Sequence, residues 1–282
     1  MSSATPCESG GFTIDRAGAY ACARPKQTIE SCQLCGGSGY MRTDSVQGGR
    51  RYEASAPCPR RRQLERLALF DAAKLPAVHA QSTFENYSPS TLEQDKALRT
   101  AKAFAFGWRA PRGYVLSGPV GTGKTHLLAA TLKHLTLEHG VKAAYVEISL
   151  LFQAIRRGFQ DGKSGGDIIE PLAEIDLLAL DEVGKGRGSP FEMETLDELI
   201  ARRYNGDKLT LFATNYSFKP PEERARAVET NDLLESGRDS RLLADRVGDR
   251  IYSRLFEMCD FVEFTPRTPD MRRARVEQRQ GS

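Results

Sequence analysis

This 282-residue chain has no run of apolar residues approaching roughly 18 in length, so its sequence predicts no membrane-spanning helix. It also lacks a dominant sign of charge. Forty Lys and Arg stand against 37 Asp and Glu, a formal net charge of +3, and so small an excess gives no global attraction to nucleic acid. Met1 to Gly11 lacks the apolar core of a secretory signal, and no segment repeats. These absences point to a cytoplasmic protein. In such a compartment the six cysteines, Cys7, Cys22, Cys32, Cys35, Cys58 and Cys259, read as thiols or metal ligands and not as a disulfide framework. The 40% hydrophobic and 27% charged residues are globular proportions, enough for one good core and a smaller module. The basic residues are clustered at Arg50, Arg51 and Arg60–Arg62, and again from Arg267 to Arg279; each cluster reads first as a solvated face.

The character of the chain changes near residue 80. Residues 1–79 are rich in Gly, Ser, Pro and Cys, with one short helix expected over Gln63–Lys74 before Leu75-Pro76 breaks it. Residues 80–282 are regular. Apolar, β-prone runs at Tyr114–Ser117, Ala143–Ile148, Leu177–Leu180, Leu209–Ala213 and Phe261–Phe264 alternate with helical patterns at Gln94–Arg109, Lys124–His139, Leu150–Phe159, Glu192–Tyr204 and Arg241–Glu257. That alternation predicts an α/β fold, a parallel sheet flanked by helices. Asp161–Gly166 reads as a flexible loop. Glu222–Asp239 reads as a charged insertion of weak periodicity.

Gly118-Pro119-Val120-Gly121-Thr122-Gly123-Lys124-Thr125 fits GxxxxGK(S/T), the phosphate-binding loop. Glycines let the backbone curl so that N–H groups face phosphate oxygens. Lys124 then reaches the β- and γ-phosphates of ATP, and the Thr125 hydroxyl can ligate Mg²⁺. The loop lies between a strand and a helix, as the motif requires. Downstream, Asp176–Glu182 is an apolar run ending in two acids. Asp181 at a buried strand end suits a hydrated Mg²⁺, and Glu182 is placed to polarise an attacking water.

Further segments resemble AAA+ ATPases, and among them the bacterial helicase loaders of the DnaC type, with transposition ATPases of the IstB type as close relatives. Ser82-Thr83-Phe84-Glu85-Asn86-Tyr87 resembles the lead-in to that ATPase domain, and Asp181-Glu182-Val183-Gly184 its second acidic motif. Phe212-Ala213-Thr214-Asn215 resembles sensor 1, Arg250–Leu255 the box that carries an arginine finger, and Asp270-Met271-Arg272 the sensor 2 segment. The resemblance covers residues 80–275. It implies an AAA+ P-loop NTPase in which Asn215 senses the γ-phosphate and Arg254 enters the neighbouring subunit's site. Arg250, four residues earlier on the same helix face, is the alternative finger. Arg272 would contact the nucleotide of its own subunit. The segment from 216 to 245 is longer than loaders of this type often carry.

Two features remain. Cys32-Gln33-Leu34-Cys35-Gly36-Gly37-Ser38-Gly39 has the spacing of a zinc knuckle, with Cys58 as a third Zn²⁺ ligand on a returning hairpin. Cys22 is the leading candidate for the fourth, ahead of Cys7 and His79. Arg156-Arg157-Gly158-Phe159 and Lys185–Phe191 each join basic residues to an aromatic beside a flexible glycine, a composition suited to single-stranded DNA. Phe159 and Phe191 could equally be core anchors. The resemblance implies self-association through ATP sites and loading of a replicative DNA helicase onto single-stranded DNA. The rivals are an IstB-like transposition ATPase and a nucleotide-switched binding module with negligible turnover.

Overall fold

The computed structural model describes residues 11–108, 112–162, 164–218 and 242–272. The chain forms two compact units. One runs to Gln81 and takes in Lys133–Lys142; the other holds Ser82–Leu132 and the rest.

The first unit contains two antiparallel hairpins, of which the second is the returning hairpin expected to lead to Cys58 and the first has no counterpart in the sequence-based reading. Strand β1 (Phe12–Ala17) pairs with β2 (Tyr20–Pro25), and β3 (Tyr40–Gln47) with β4 (Arg50–Pro57). Gly48 and Gly49 both have positive φ, +57° and +78°. That is the turn whose twist matches a two-residue hairpin. Helix α1 (Pro59–Ala72) starts four residues before the expected position, because Pro59 is favoured in a first helical turn. Leu67 and Phe70 of α1 are buried, as are Ala21 and Ala23 of β2. The Ala23 amide donates to the Asp71 carboxylate at 2.7 Å.

The second unit is an α/β layer structure. After α2 (Leu92–Phe106) come β5 (Gly113–Ser117), α3 (Lys124–His139), β6 (Ala143–Glu147), α4 (Ile148–Gln160), α5 (Gly165–Glu174), β7 (Leu177–Asp181), α6 (Pro190–Asn205), β8 (Leu209–Thr214), α7 (Leu243–Val247), α8 (Asp249–Met258) and β9 (Cys259–Glu263). The five strands form one parallel sheet in the order β6-β7-β8-β5-β9. The central strands β5 and β7 are buried along their whole length, as expected for parallel strands covered on both faces. Val115, Leu178, Leu180 and Phe212 pack with Ile155 and Leu199 from the covering helices.

Two sequence-based expectations change here. Ser164, placed in a loop, caps α5: its hydroxyl accepts from the Asp167 amide, and the Asp167 carboxylate accepts from the Ser164 amide. The single helix expected over Arg241–Glu257 is two, parted at Gly248, whose φ is +80°. The expected insertion at Glu222–Asp239 lies outside the described residues. Among the described residues no helix is long and apolar enough to cross a membrane.

Candidate nucleotide site and cysteine cluster

Parallel strands deliver their C-terminal ends to one edge of the sheet, and the phosphate-binding loop, Asp181, Glu182 and Asn215 lie there. The phosphate-binding loop joins β5 to α3. Gly118, Gly121 and Gly123 have φ of +125°, +83° and +100°, a region that favours glycine. A Cβ at Gly123 would also strike the Tyr87 ring at 2.5 Å. The loop is braced from the lead-in segment. The Tyr87 hydroxyl and the Gln94 side-chain amide both donate to the Thr122 carbonyl, at 3.2 and 3.4 Å. This is the structural content of the Ser82–Tyr87 resemblance. Neither Tyr87 nor Gln94 was assigned a role from sequence.

Lys124 is buried and donates from Nζ to the carbonyls of Gly118 and Pro119, each at 2.7 Å. Burial lowers its pKa to about 8 against the upward pull of Asp181 and Glu182, and Arg272 adds to the lowering. Thr125 donates from Oγ1 to Asp181 Oδ2 at 2.8 Å. So the two motifs, 56 residues apart in the chain, are in direct contact. Asp181 Oδ1 accepts from the Glu182 amide at 2.8 Å, and Oδ2 also accepts from the Tyr145 hydroxyl at 2.7 Å.

Glu182 has φ +56°, a left-handed backbone that is costly for a residue with a Cβ. Its carboxylate is ion-paired with Lys185 three residues on, and Lys185 also reaches Glu147 at 3.4 Å. Arg246 of α7 fixes the loop that carries Lys185. It donates to the Gly184 and Gly186 carbonyls at 2.9 and 2.6 Å and lies over the Tyr216 ring. Lys185 was read only as part of a basic loop, and Arg246 was missed; neither role has a signal in the sequence.

Asn215 is exposed just past the end of β8, the strand between β5 and β7. Met271 closes on the loop through its amide to the Gly121 carbonyl at 2.9 Å, and Arg272 beside it is exposed. Arg254 is on α8 with its guanidinium 2.6 Å from Asp197 and 28% exposed. Arg250 is exposed and lines an open cleft of about 410 Å³ with Met193, Asp197 and Gly248.

The two segments picked out for nucleic acid meet in space. The Phe159 and Phe191 rings stand edge to face, 6.0 Å apart. Phe159 is half exposed, and Arg156 lies over Phe191 while pairing with the buried Glu192. Glu192 in turn accepts from the Arg187 and Gly188 amides, which holds the glycine-rich loop in place.

In the first unit the sulfurs of Cys32, Cys35 and Cys58 lie within 4.8 Å of one another, Cys32 and Cys58 at 3.6 Å. The Gly39 amide donates to Cys35 Sγ at 3.3 Å. Three convergent thiols with an amide to sulfur fit a tetrahedral thiolate site. Cys22 is not brought to it. It lies on β2 opposite Asp15, between Ala21 and Ala23, so strand alternation turns it away from the face those alanines bury. Nor is His79 in the cluster, and Cys7 lies outside the described residues. Cys259 is buried beside β5 in the core, away from the other cysteines' cluster.

Residues 57–224 match the IstB-like ATP binding protein family. Among curated proteins the chain is 30% identical over 159 residues to the uncharacterised protein YdaV of Escherichia coli K12, covering 56% of this chain and 64% of that one. It is 28% identical over 148 residues to the replicative helicase loader DnaC of the same strain, covering 52% and 60%. It thus spans about three fifths of the length of the curated relatives it matches. Among solved structures, a crystal structure of the DnaC helicase loader aligns at a TM-score of 0.55 and 26% identity, over 66% of this chain and 98% of that one. The parallel sheet, the braced phosphate loop and the Thr125–Asp181 contact are those of an AAA+ P-loop domain, and the chain belongs to the IstB-like ATP-binding protein family.

Proposed function

We propose that this chain is an ATP-hydrolysing loader that places a replicative DNA helicase on single-stranded DNA. The observation that carries the reading is the single site made by Lys124, Thr125, Asp181 and Glu182. A domain that only binds nucleotide has no need of the last. Similarity to proteins named as DnaC helicase loaders supports the substrate side.

In this reading the loop amides and Lys124 bind the phosphates. Thr125 and Asp181 would hold Mg²⁺, which would supply positive charge to the bound phosphates. Glu182 takes the water's proton once Lys185 releases it. Asn215 lies between the two motifs and orients that water. Arg254 acts in trans after leaving Asp197, with Arg250 as the alternative, so that self-association completes the site. Arg272 contacts nucleotide within its own subunit. Arg156, Phe159 and Phe191 form one surface for single-stranded DNA, with a basic group for phosphate and a half-exposed ring for stacking.

The first 79 residues form a separate module, with Zn²⁺ on Cys32, Cys35 and Cys58 and the helicase as its partner. Parallel pull-downs against a replicative helicase and a transposase test the assignment. Capture of the helicase, together with phosphate release that responds to single-stranded DNA, is expected. Capture of the transposase alone would move the chain to the IstB-type activity. ATP binding with no phosphate release would make it a nucleotide-switched module.

A further inference from the structure

Tyr145 lies on β6, the edge strand, two residues before Glu147, which is in register with Asp181. Its half-buried side chain reaches Asp181 Oδ2 with its hydroxyl at 2.7 Å. A carboxylate offers about four acceptor positions. Oδ2 uses two, on the hydroxyls of Thr125 and Tyr145, and Oδ1 uses one on the Glu182 amide. Among the described residues these three are the donors given to this carboxylate. One position on Oδ1 is left over.

Thr125 spends its hydrogen on Asp181, which frees its own oxygen lone pairs for a cation. Among the described residues, Asp181 is the hydrogen-bond partner of the Tyr145 hydroxyl. A phenol in this position donates its hydrogen to the carboxylate. A donor fixed this way stops the carboxylate from rotating. Strand pairing alone does not require it, since the backbone ladder between β6 and β7 is complete from Ala143 to Glu147.

We infer that Tyr145 is a positioning residue for the divalent cation of the nucleotide site. It holds Asp181 in an orientation that leaves one Oδ1 position open, which would serve a hydrated cation. The inference rests on the reading of Asp181 as the metal-supporting acid. A donor in contact with a metal-supporting carboxylate typically changes metal affinity by about 10- to 100-fold when removed. The test is equilibrium binding of a fluorescent, non-hydrolysable ATP analogue to the full chain, read by anisotropy in EDTA and then across a Mg²⁺ titration. Wild type, Tyr145→Phe and Asp181→Asn are compared, with thermal melting as a fold control. Tyr145→Phe is expected to keep the wild-type affinity in EDTA and to raise the Mg²⁺ midpoint by about tenfold. Asp181→Asn is expected to raise it at least as far. A shifted Asp181→Asn beside an unshifted Tyr145→Phe would overturn the role of Tyr145, leaving at most a structural bond that shows in the melting temperature. An unshifted Asp181→Asn would overturn the reading of Asp181 itself, and the role of Tyr145 with it.

Discussion

Lys124 shows how burial sets the chemistry of a single residue. Burial holds the pKa of its ammonium at about 8 against the upward pull of Asp181 and Glu182, even though the ammonium donates to two loop carbonyls. Bound phosphates restore the charged form, so nucleotide binding takes up a proton wherever free Lys124 is neutral. The sign follows: affinity is flat below about pH 8 and falls above it, by up to about tenfold per pH unit. Calorimetry at pH 7 and pH 9, in buffers of different ionisation enthalpy, measures both the loss and the proton uptake. Equal affinity at the two values would mean that Lys124 stays charged throughout. At Glu182 the prediction separates binding from turnover. Glu182→Gln keeps the side-chain shape but is a poor proton acceptor. It is expected to bind ATP as wild type and to release phosphate at a rate lower by about two orders of magnitude or more, measured under saturating ATP.

At the scale of elements, two arrangements depend on buried polar contacts. Arg203 of α6 is fully buried. It donates to the carbonyls of Leu172 and Ile175 at 2.7 and 3.0 Å and to Thr210 Oγ1 at 2.8 Å. It thereby satisfies the unpaired end of α5 and fixes that helix beside β8. Arg203→Met strands several buried acceptors, and urea unfolding is expected to show a loss of about 3 kcal/mol. In the first unit, the ribbon β3–β4 has exposed Tyr40, Val46 and Tyr52 and little core of its own, and an isolated hairpin is marginal in water. Cys58 ends that ribbon at the start of α1, so a cation on the three sulfurs would tie ribbon, knuckle and helix together. Zinc is expected to copurify at about one equivalent per chain, and Cys58→Ser is expected to lose it and to lower the melting transition. Protein prepared without chelator that contains no metal would end this assignment.

For the whole molecule the open question is assembly. Arg254 is held by Asp197 within its own subunit, so its action in trans requires exchange of that partner for the neighbour's phosphate. Arg254→Ala is expected to bind ATP and to hydrolyse it at least about 10³-fold more slowly. Mixed with Glu182→Gln it is expected to regain part of the activity, because some interfaces then pair an intact Glu182 with an intact Arg254. An intrasubunit salt bridge cannot produce that rescue. If co-assembled mixtures stay inactive, Arg250, exposed on the neighbouring cleft, takes the role.

The sequence alone determined the contiguous parts of this protein. The phosphate loop, the acidic strand end and the CxxC knuckle each lie within a few consecutive residues, and local spacing carries their chemistry. The buried strands were readable because β5 and β7 carry the apolar runs Tyr114–Leu116 and Leu177–Leu180. Helix α5 was not, because it opens on Gly165-Gly166 and contains Pro171, all poor helix formers whose cost is met by burying Ile169 and Ala173. Tertiary structure decided whatever depends on distance through space. It set Tyr145 on Asp181, bound Glu182 to Lys185, gave Arg254 a partner in Asp197 and brought Phe159 against Phe191. It also left Cys22 on the β1–β2 hairpin, outside the cysteine cluster.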